Sequence, residues 1–167
     1  QLANPLTNLG TTHYRLKDFG AAVDAYSRAL ALLESSGADT PLIRPLQGLA
    51  AAYRGLGRDA DALPPLQRAL DISRNRDGLF NPGQLELLRP LAELQMKLDR
   101  VEDAARLRQY AYTVAENSFG REDPRVLPAL DEYARWNESV GRYTAARLLH
   151  LRAIQIAEKA GGRNSPL

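Results

Sequence analysis

At 167 residues, 44% of them hydrophobic and 25% charged, the chain has the composition of an ordinary globular protein and the length to bury a core. A net charge of +2 is too weak to single out nucleic acid, and no apolar run reaches the roughly 18 residues of a membrane span. Zero cysteines exclude disulfides, thiolate metal sites and a cysteine nucleophile but leave the compartment open, and the two histidines, His13 and His150, are too few for a zinc site or a histidine triad.

In chain order the sequence predicts four helical hairpins, over residues 3–36, 40–77, 81–119 and 123–161, within a single domain of residues 1–167. Four strings punctuate them: Gly37-Ala-Asp-Thr-Pro41, Gly78-Leu-Phe-Asn-Pro82, Gly120-Arg-Glu-Asp-Pro124 and Gly162-Arg-Asn-Ser-Pro166. In each, glycine closes one helix in a left-handed conformation, a side-chain oxygen caps the next, and proline fits its first turn. Asn4-Pro5 reads as the same start without the glycine. The prolines step by 36, 41, 42 and 42 residues, and four units of 42 would nearly fill the chain. Residues 162–167 read as the start of a fifth unit, so the chain is expected to be cut from a longer protein with further repeats or another domain beyond Leu167.

Within the units, Leu9–Leu30, Leu49–Leu70, Leu91–Tyr112 and Tyr133–Ile154 align without a gap. One column holds Ala22, Ala62, Ala104 and Ala146. A second holds Ala29, Ala69, Ala111 and Ala153, and a third Gly10, Ala50, Ala92 and Ala134. Small residues at fixed places let helix axes approach. Leu16, Leu56, Leu98 and Val140 form an apolar column expected to fill the space between them. Apolar spacing of three and four predicts helix on both sides of turns at Gly57 and Gly141, and no stretch alternates as a strand would.

The spacing Leu9-Gly10, Tyr14, Ala22, Tyr26, Ala29 resembles the tetratricopeptide repeat, a helix–turn–helix unit of about 34 residues in its common form. The longer period here is similar to the variety of kinesin light chains and many bacterial signalling proteins, which implies a bacterial source. The resemblance implies an all-α, right-handed α-solenoid that binds protein rather than catalysing a reaction. In that variety a proline commonly opens the second helix, a role assigned to Pro64. Arg108 and His150 depart from the pattern by replacing the large apolar residue supplied by Tyr26 and Leu66. Gln95 and Asn137 replace the aromatic of Tyr53, so looser or hydrogen-bonded packing is expected in the last two units.

Motifs of catalysis, nucleotide binding or metal binding are absent from the sequence, so no cofactor, metal or enzymatic activity is expected. Tyr53, Tyr133 and Tyr143 read as core, and Tyr14 as facing outward. Asn137-Glu138-Ser139 matches a glycosylation sequon but falls inside a predicted helix. Stacked hairpins curve, and the first helix of each lines the concave side. First-helix residues outside the packing columns should therefore face a groove: Asn4, Thr7, Asn8, Thr11, Tyr14, Arg15, Arg44, Gln47, Ala51 and Arg54, then Glu86, Arg89, Glu93, Met96, Lys97, Asp131, Glu132, Arg135 and Glu138. The expected peptide-binding set within these is Asn4, Asn8, Thr11, Tyr14, Arg15, Arg44, Gln47, Arg54, Arg89, Glu93, Lys97 and Arg135. Amide side chains can pair with an extended backbone, and arginine can hold a carboxylate through two bonds.

The expected partner is thus a protein or peptide segment, acidic toward Arg15, Arg44 and Arg54, with no nucleic acid and no membrane span. The carboxylate clamp of chaperone-binding members of the family would fall on Thr7, Thr11, Gly48, Glu86 and Pro90, none of which conforms. Pro90 lies mid-helix, frees the Glu86 carbonyl and is expected to kink the helix. Two other readings stay open: a sensor or regulatory arm of a larger bacterial signalling enzyme or ATPase, and a structural element that self-associates through uncapped end repeats.

Overall fold

The computed structural model describes residues 2–35 and 42–163. Among these residues there are eight α-helices and no strand: α1 (Ala3–Arg15), α2 (Phe19–Ser35), α3 (Ile43–Gly55), α4 (Asp59–Asp77), α5 (Leu85–Lys97), α6 (Val101–Phe119), α7 (Leu127–Ser139) and α8 (Tyr143–Arg163). Short 3-10 turns at Pro82–Gln84 and Pro124–Val126 lead into α5 and α7. Each odd-numbered helix pairs with the even-numbered helix after it, and α2, α4 and α6 then pack on the first helix of the following hairpin. The result is an all-α solenoid of four hairpins.

The same turn joins the two helices of every hairpin. The amide N–H groups of Asp18, Arg58, Arg100 and Arg142 donate to the carbonyls of His13, Tyr53, Gln95 and Asn137, five residues back, at 2.8–2.9 Å. The residue just before each donor has positive φ: Lys17 (61°), Gly57 (73°), Asp99 (59°) and Gly141 (77°). This is a Schellman closure, which satisfies carbonyls that the helix end would otherwise leave free.

Between hairpins, Gly78 and Gly120 end α4 and α6 with φ of 87° and 94°. Asn81 Oδ1 then accepts from the Gly83 N–H at 2.6 Å, and Asp123 Oδ1 from the Arg125 N–H at 2.8 Å. The Arg125 side chain also donates to Asp123, and these bonds hold that carboxyl down at about 2. The caps therefore act on the 3-10 turns, whose first residues are Pro82 and Pro124, and not on the α-helices directly. Residues 36–41, with the Gly37–Pro41 string, lie outside the described residues, as does Asn164–Leu167. Helix α8 runs through Gly162 to Arg163.

Two local expectations are corrected. Helix α1 begins at Ala3 after Leu2, with no side-chain cap, so Asn4 lies inside the first turn and does not cap it. Pro64 does not open α4. It is the sixth residue of that helix and is followed by Pro65, so the carbonyls of Ala60 and Asp61 lose their helical donors. Pro90 lies inside α5, six residues into a helix that runs from Leu85 to Lys97.

The small-residue columns form the core. Ala22, Ala62, Ala104 and Ala146 are all buried, as are Gly10, Ala50, Ala92 and Ala134. Ala29 and Ala69 are fully buried, whereas Ala111 and Ala153 are half-buried. Leucines of α3 to α5, with Leu30, Leu33 and Val114, make the largest apolar cluster. A second cluster gathers Ala115, Val126, Leu130 and Ile156 at the fourth hairpin. The column Leu16, Leu56, Leu98 and Val140 does not fill the interior. Leu16 is 72% exposed, Leu56 and Val140 are exposed, and Leu98 is half-buried, because each sits on the helix end where the chain turns outward. Tyr143 is exposed, against its expected core place. Tyr53 and Tyr133 are half-buried. Tyr133 stacks between Tyr112 and Trp136, with ring centroids 5.7 and 6.0 Å away.

Candidate functional site

The first helices share one face, as side-chain bridges between successive ones show. Arg44 Nη2 donates to Asn8 Oδ1 at 3.3 Å from α3 to α1, and Arg54 Nη2 to Glu93 Oε2 at 2.8 Å from α3 to α5. Arg89 of α5 bonds Glu132 of α7, which holds the Arg89 guanidinium above its ordinary range. Each bridge crosses a gap between hairpins. The arginines of this face are thus largely paired within the protein, at surface sites where such pairs are worth little and can exchange for a ligand carboxylate.

Two cavities open along the face. The first, of about 450 Å³, lies between α1 and α3 and brings together Asn4, Asn8, Arg44 and Gln47 with Thr7, Ile43, Pro45 and Arg76. The second, of about 370 Å³, lies between α5 and α7 and brings together Arg89, Glu93, Met96, Glu132 and Arg135 with Ala92, Arg108, Trp136 and Ser139. Arg15 is exposed at the end of α1, and Tyr14 packs against Phe19 at a ring distance of 5.5 Å. Neither lines these cavities.

Several expected positions are already engaged within the protein. Thr7 is buried, with its hydroxyl donating to the Ala3 carbonyl. Thr11 is half-buried, donates to the Thr7 carbonyl and meets the Tyr26 hydroxyl at 3.0 Å. Lys97 reaches to Asp59 at the start of α4, and Arg135 folds back on Asp131 one turn earlier on its own helix. Glu138 lies beside His150, 3.2 Å away.

The floor of the gaps comes from the second helices, and sequence reasoning did not place these residues in the site. Between α1 and α3 the floor is Tyr26, whose ring fills a slot left by Gly10 and Gly48. A Cβ on Gly48 would fall 2.3 Å from that ring. The aligned residues are Leu66 in the second hairpin and Arg108 in the third. Burial pushes the Arg108 guanidinium down from its ordinary value, opposed by the charges of Glu132 and Glu93. Its Nη1 and the indole Nε1 of Trp136 are both buried without an acceptor among the described residues. Trp136 is 6% exposed. Gln95 and Asn137, the other departures, are buried as well. Asn137 donates to the Tyr133 carbonyl at 2.7 Å, whereas Gln95 Oε1 has no donor. The signal that could have found the floor was the break in the column itself, arginine where the pattern asks for a large apolar side chain.

Among the described residues no helix is long and apolar enough to cross a membrane, and no three His, Asp or Glu side chains gather as metal ligands would.

The family model of the tetratricopeptide repeat matches residues 1–75. No curated protein is significantly similar in sequence. Among solved structures, BtubC (BKLC) from P. vanneervenii superposes with a TM-score of 0.77 at 21% identity, over 95% of this chain and 63% of that one. The apo form of RapI gives 0.75 at 15% identity over 96% and 57% of the two chains. The MamA RS-1 ArsTM double mutant gives 0.69 at 14% identity over 98% and 78%. The chain therefore spans less than two thirds of the length of the first two, and the likeness to all three is one of fold. The match to the tetratricopeptide-repeat model thus covers the first two hairpins, and the same helical-hairpin solenoid continues through the other two.

Proposed function

We propose that the face of α1, α3, α5 and α7 binds an extended protein or peptide segment, and that the chain works by holding that segment without a reaction of its own. The match of the first two hairpins to a repeat family built for protein interaction supports a scaffold in general. The observation that carries the finer reading is the series of exchangeable polar bridges, Asn8–Arg44, Arg54–Glu93 and Arg89–Glu132, running across the three gaps between successive first helices. An extended strand needs such donors and acceptors at intervals along its length, and ligand carboxylates would compete for the arginines.

The test is selection of binders from a random peptide display library, followed by mapping of their contacts through backbone amide shifts. Shifts should fall on the four first helices and weaken in an Arg15, Arg44 and Arg54 triple-alanine variant. Shifts confined to the outer faces of α2, α4, α6 and α8 would overturn the reading.

A second reading is favoured by one observation, the exposure of Leu148, Leu151 and Ile154 along α8. It is self-association through that helix. A regulatory arm of a larger signalling protein is compatible with either reading.

A further inference from the structure

The gap between α5 and α7 differs from the other two in what lies beneath it. Tyr26 and Leu66 close the first two gaps with apolar surface that is buried. Arg108 puts a cation in the same place, against Ala92 and Glu93 on one side and Glu132 on the other. Glu93 and Glu132 are already bonded, by Arg54 and Arg89 respectively, and Arg135 is taken up by Asp131. Of the charged groups lining this cavity, Arg108 alone has no ion-pair partner within 4 Å among the described residues. A second donor belongs to the same lining, the buried indole N–H of Trp136, also without an acceptor. Buried donors are almost always satisfied, and two unpartnered ones on residues that line an open cavity of about 370 Å³ call for an acceptor from outside. Arg108, Arg89 and Arg135 outnumber Glu93 and Glu132 on the lining, so a negatively charged acceptor is favoured over a neutral carbonyl.

We infer that the cavity between α5 and α7 is a subsite for an acidic side chain, an aspartate or glutamate of the bound segment, whose carboxylate is received by Arg108 and the Trp136 N–H. This rests on the groove reading above and names the chemistry that the groove selects in its second half. The aliphatic part of the side chain would lie against Met96 and Ala92 at the cavity wall. Selection is therefore for acid at one register of the segment, set by the third gap and not by the arginines of α1 and α3.

Trp136 is the single tryptophan of the chain, so its indole N–H gives one unambiguous proton–nitrogen resonance. The probes are acetyl-Ala-Ala-Glu-Ala-Ala-amide, the same peptide with Gln for Glu, and the Gln peptide with a free C-terminal carboxylate. The Glu peptide should move the indole resonance saturably, less so at high salt, with the Gln amide at least about tenfold weaker. Arg108→Leu, which copies the floor of the second hairpin, should abolish the shift while helical circular dichroism is unchanged. Arg108→Lys, which keeps the charge but not the fork, should retain a weakened one.

Equal shifts from the Glu and Gln amides, a shift that survives Arg108→Leu, or no shift with any probe would overturn the subsite. A response to the free C-terminus alone would overturn the choice of a side chain. If library peptides still map to the first helices while the indole stays still, the groove reading stands and the subsite falls. If they map to the outer faces, the groove reading falls, and the Glu peptide still reports on the cavity by itself.

Discussion

Lys17 and Asp99 occupy, with φ of 61° and 59°, the turn position that Gly57 and Gly141 hold in the other two hairpins. A side chain with a Cβ pays about 1 kcal/mol or more for a left-handed backbone, and glycine does not. Lys17→Gly should therefore stabilise the protein by about 1 kcal/mol, read as a raised urea midpoint with an unchanged slope. Asp99→Gly should gain less, because aspartate tolerates this conformation better than lysine. Gly57→Ala should lose about 1 kcal/mol. A Lys17→Gly midpoint at or below that of the parent would show that the turn carries no such strain. The gap-free alignment puts all four residues in one column, yet only the glycines read as turns, because a lysine gives no local sign of positive φ. Leu16, Leu56 and Val140 misled for a related reason. Apolar spacing continues one residue past the helix end, where the chain has already turned to solvent.

At the scale of the helix, the close approach of α1 and α3 depends on glycine. The Tyr26 ring is 4% exposed and fills the space between Gly10 and Gly48, and its hydroxyl is held by Thr11. Gly48→Ala would drive a methyl group into a ring that has nowhere to go. A destabilisation of about 1–3 kcal/mol is expected by urea unfolding, the usual cost of overpacking. In a Tyr26→Leu background, which copies Leu66, the same change should cost much less, and the double-mutant cycle measures the coupling. Additive effects would show that the two residues are not packed against each other. The hairpins and their small-residue columns were legible in the sequence because both are periodic, and periodicity survives any single substitution. The places where it breaks were legible only as departures. Arg108 reads from sequence as a defect in packing, because nothing local shows that the position lies under a gap between neighbouring hairpins. Pro64 misled in the opposite direction. A proline is a strong helix-start signal, but here Asp59 starts the helix five residues earlier, and the tolerance for two interior prolines comes from tertiary packing around the buried Pro65.

In a solenoid every hairpin has the same outward and inward positions, so a residue out of character for its position carries information about the whole molecule. Ile154 aligns with Leu30 and Leu70, which are buried under the following hairpin, and its 53% exposure follows from the position of α8. Leu148 and Leu151 are different. They align with Asp24 and Ser27, Pro64 and Gln67, and Arg106 and Gln109, all exposed in the first three hairpins. Two leucines therefore replace mostly polar residues on the outward face of the fourth, at 59% and 49% exposure. These two leucines are the apolar surface that the self-association reading proposes as a contact. If copies of the chain associate through it, the mass measured by light scattering should rise with concentration. Leu148→Arg with Leu151→Gln, the residues of the third hairpin, should then hold the protein monomeric without changing its helical content. Ile154→Glu separates this lateral contact from stacking through the inward position. Loss of association in Ile154→Glu alone, with the Leu148 and Leu151 variant still associating, would place the contact on the stacking face of α8. A mass that is constant with concentration would remove self-association altogether and leave the first-helix face as the binding surface.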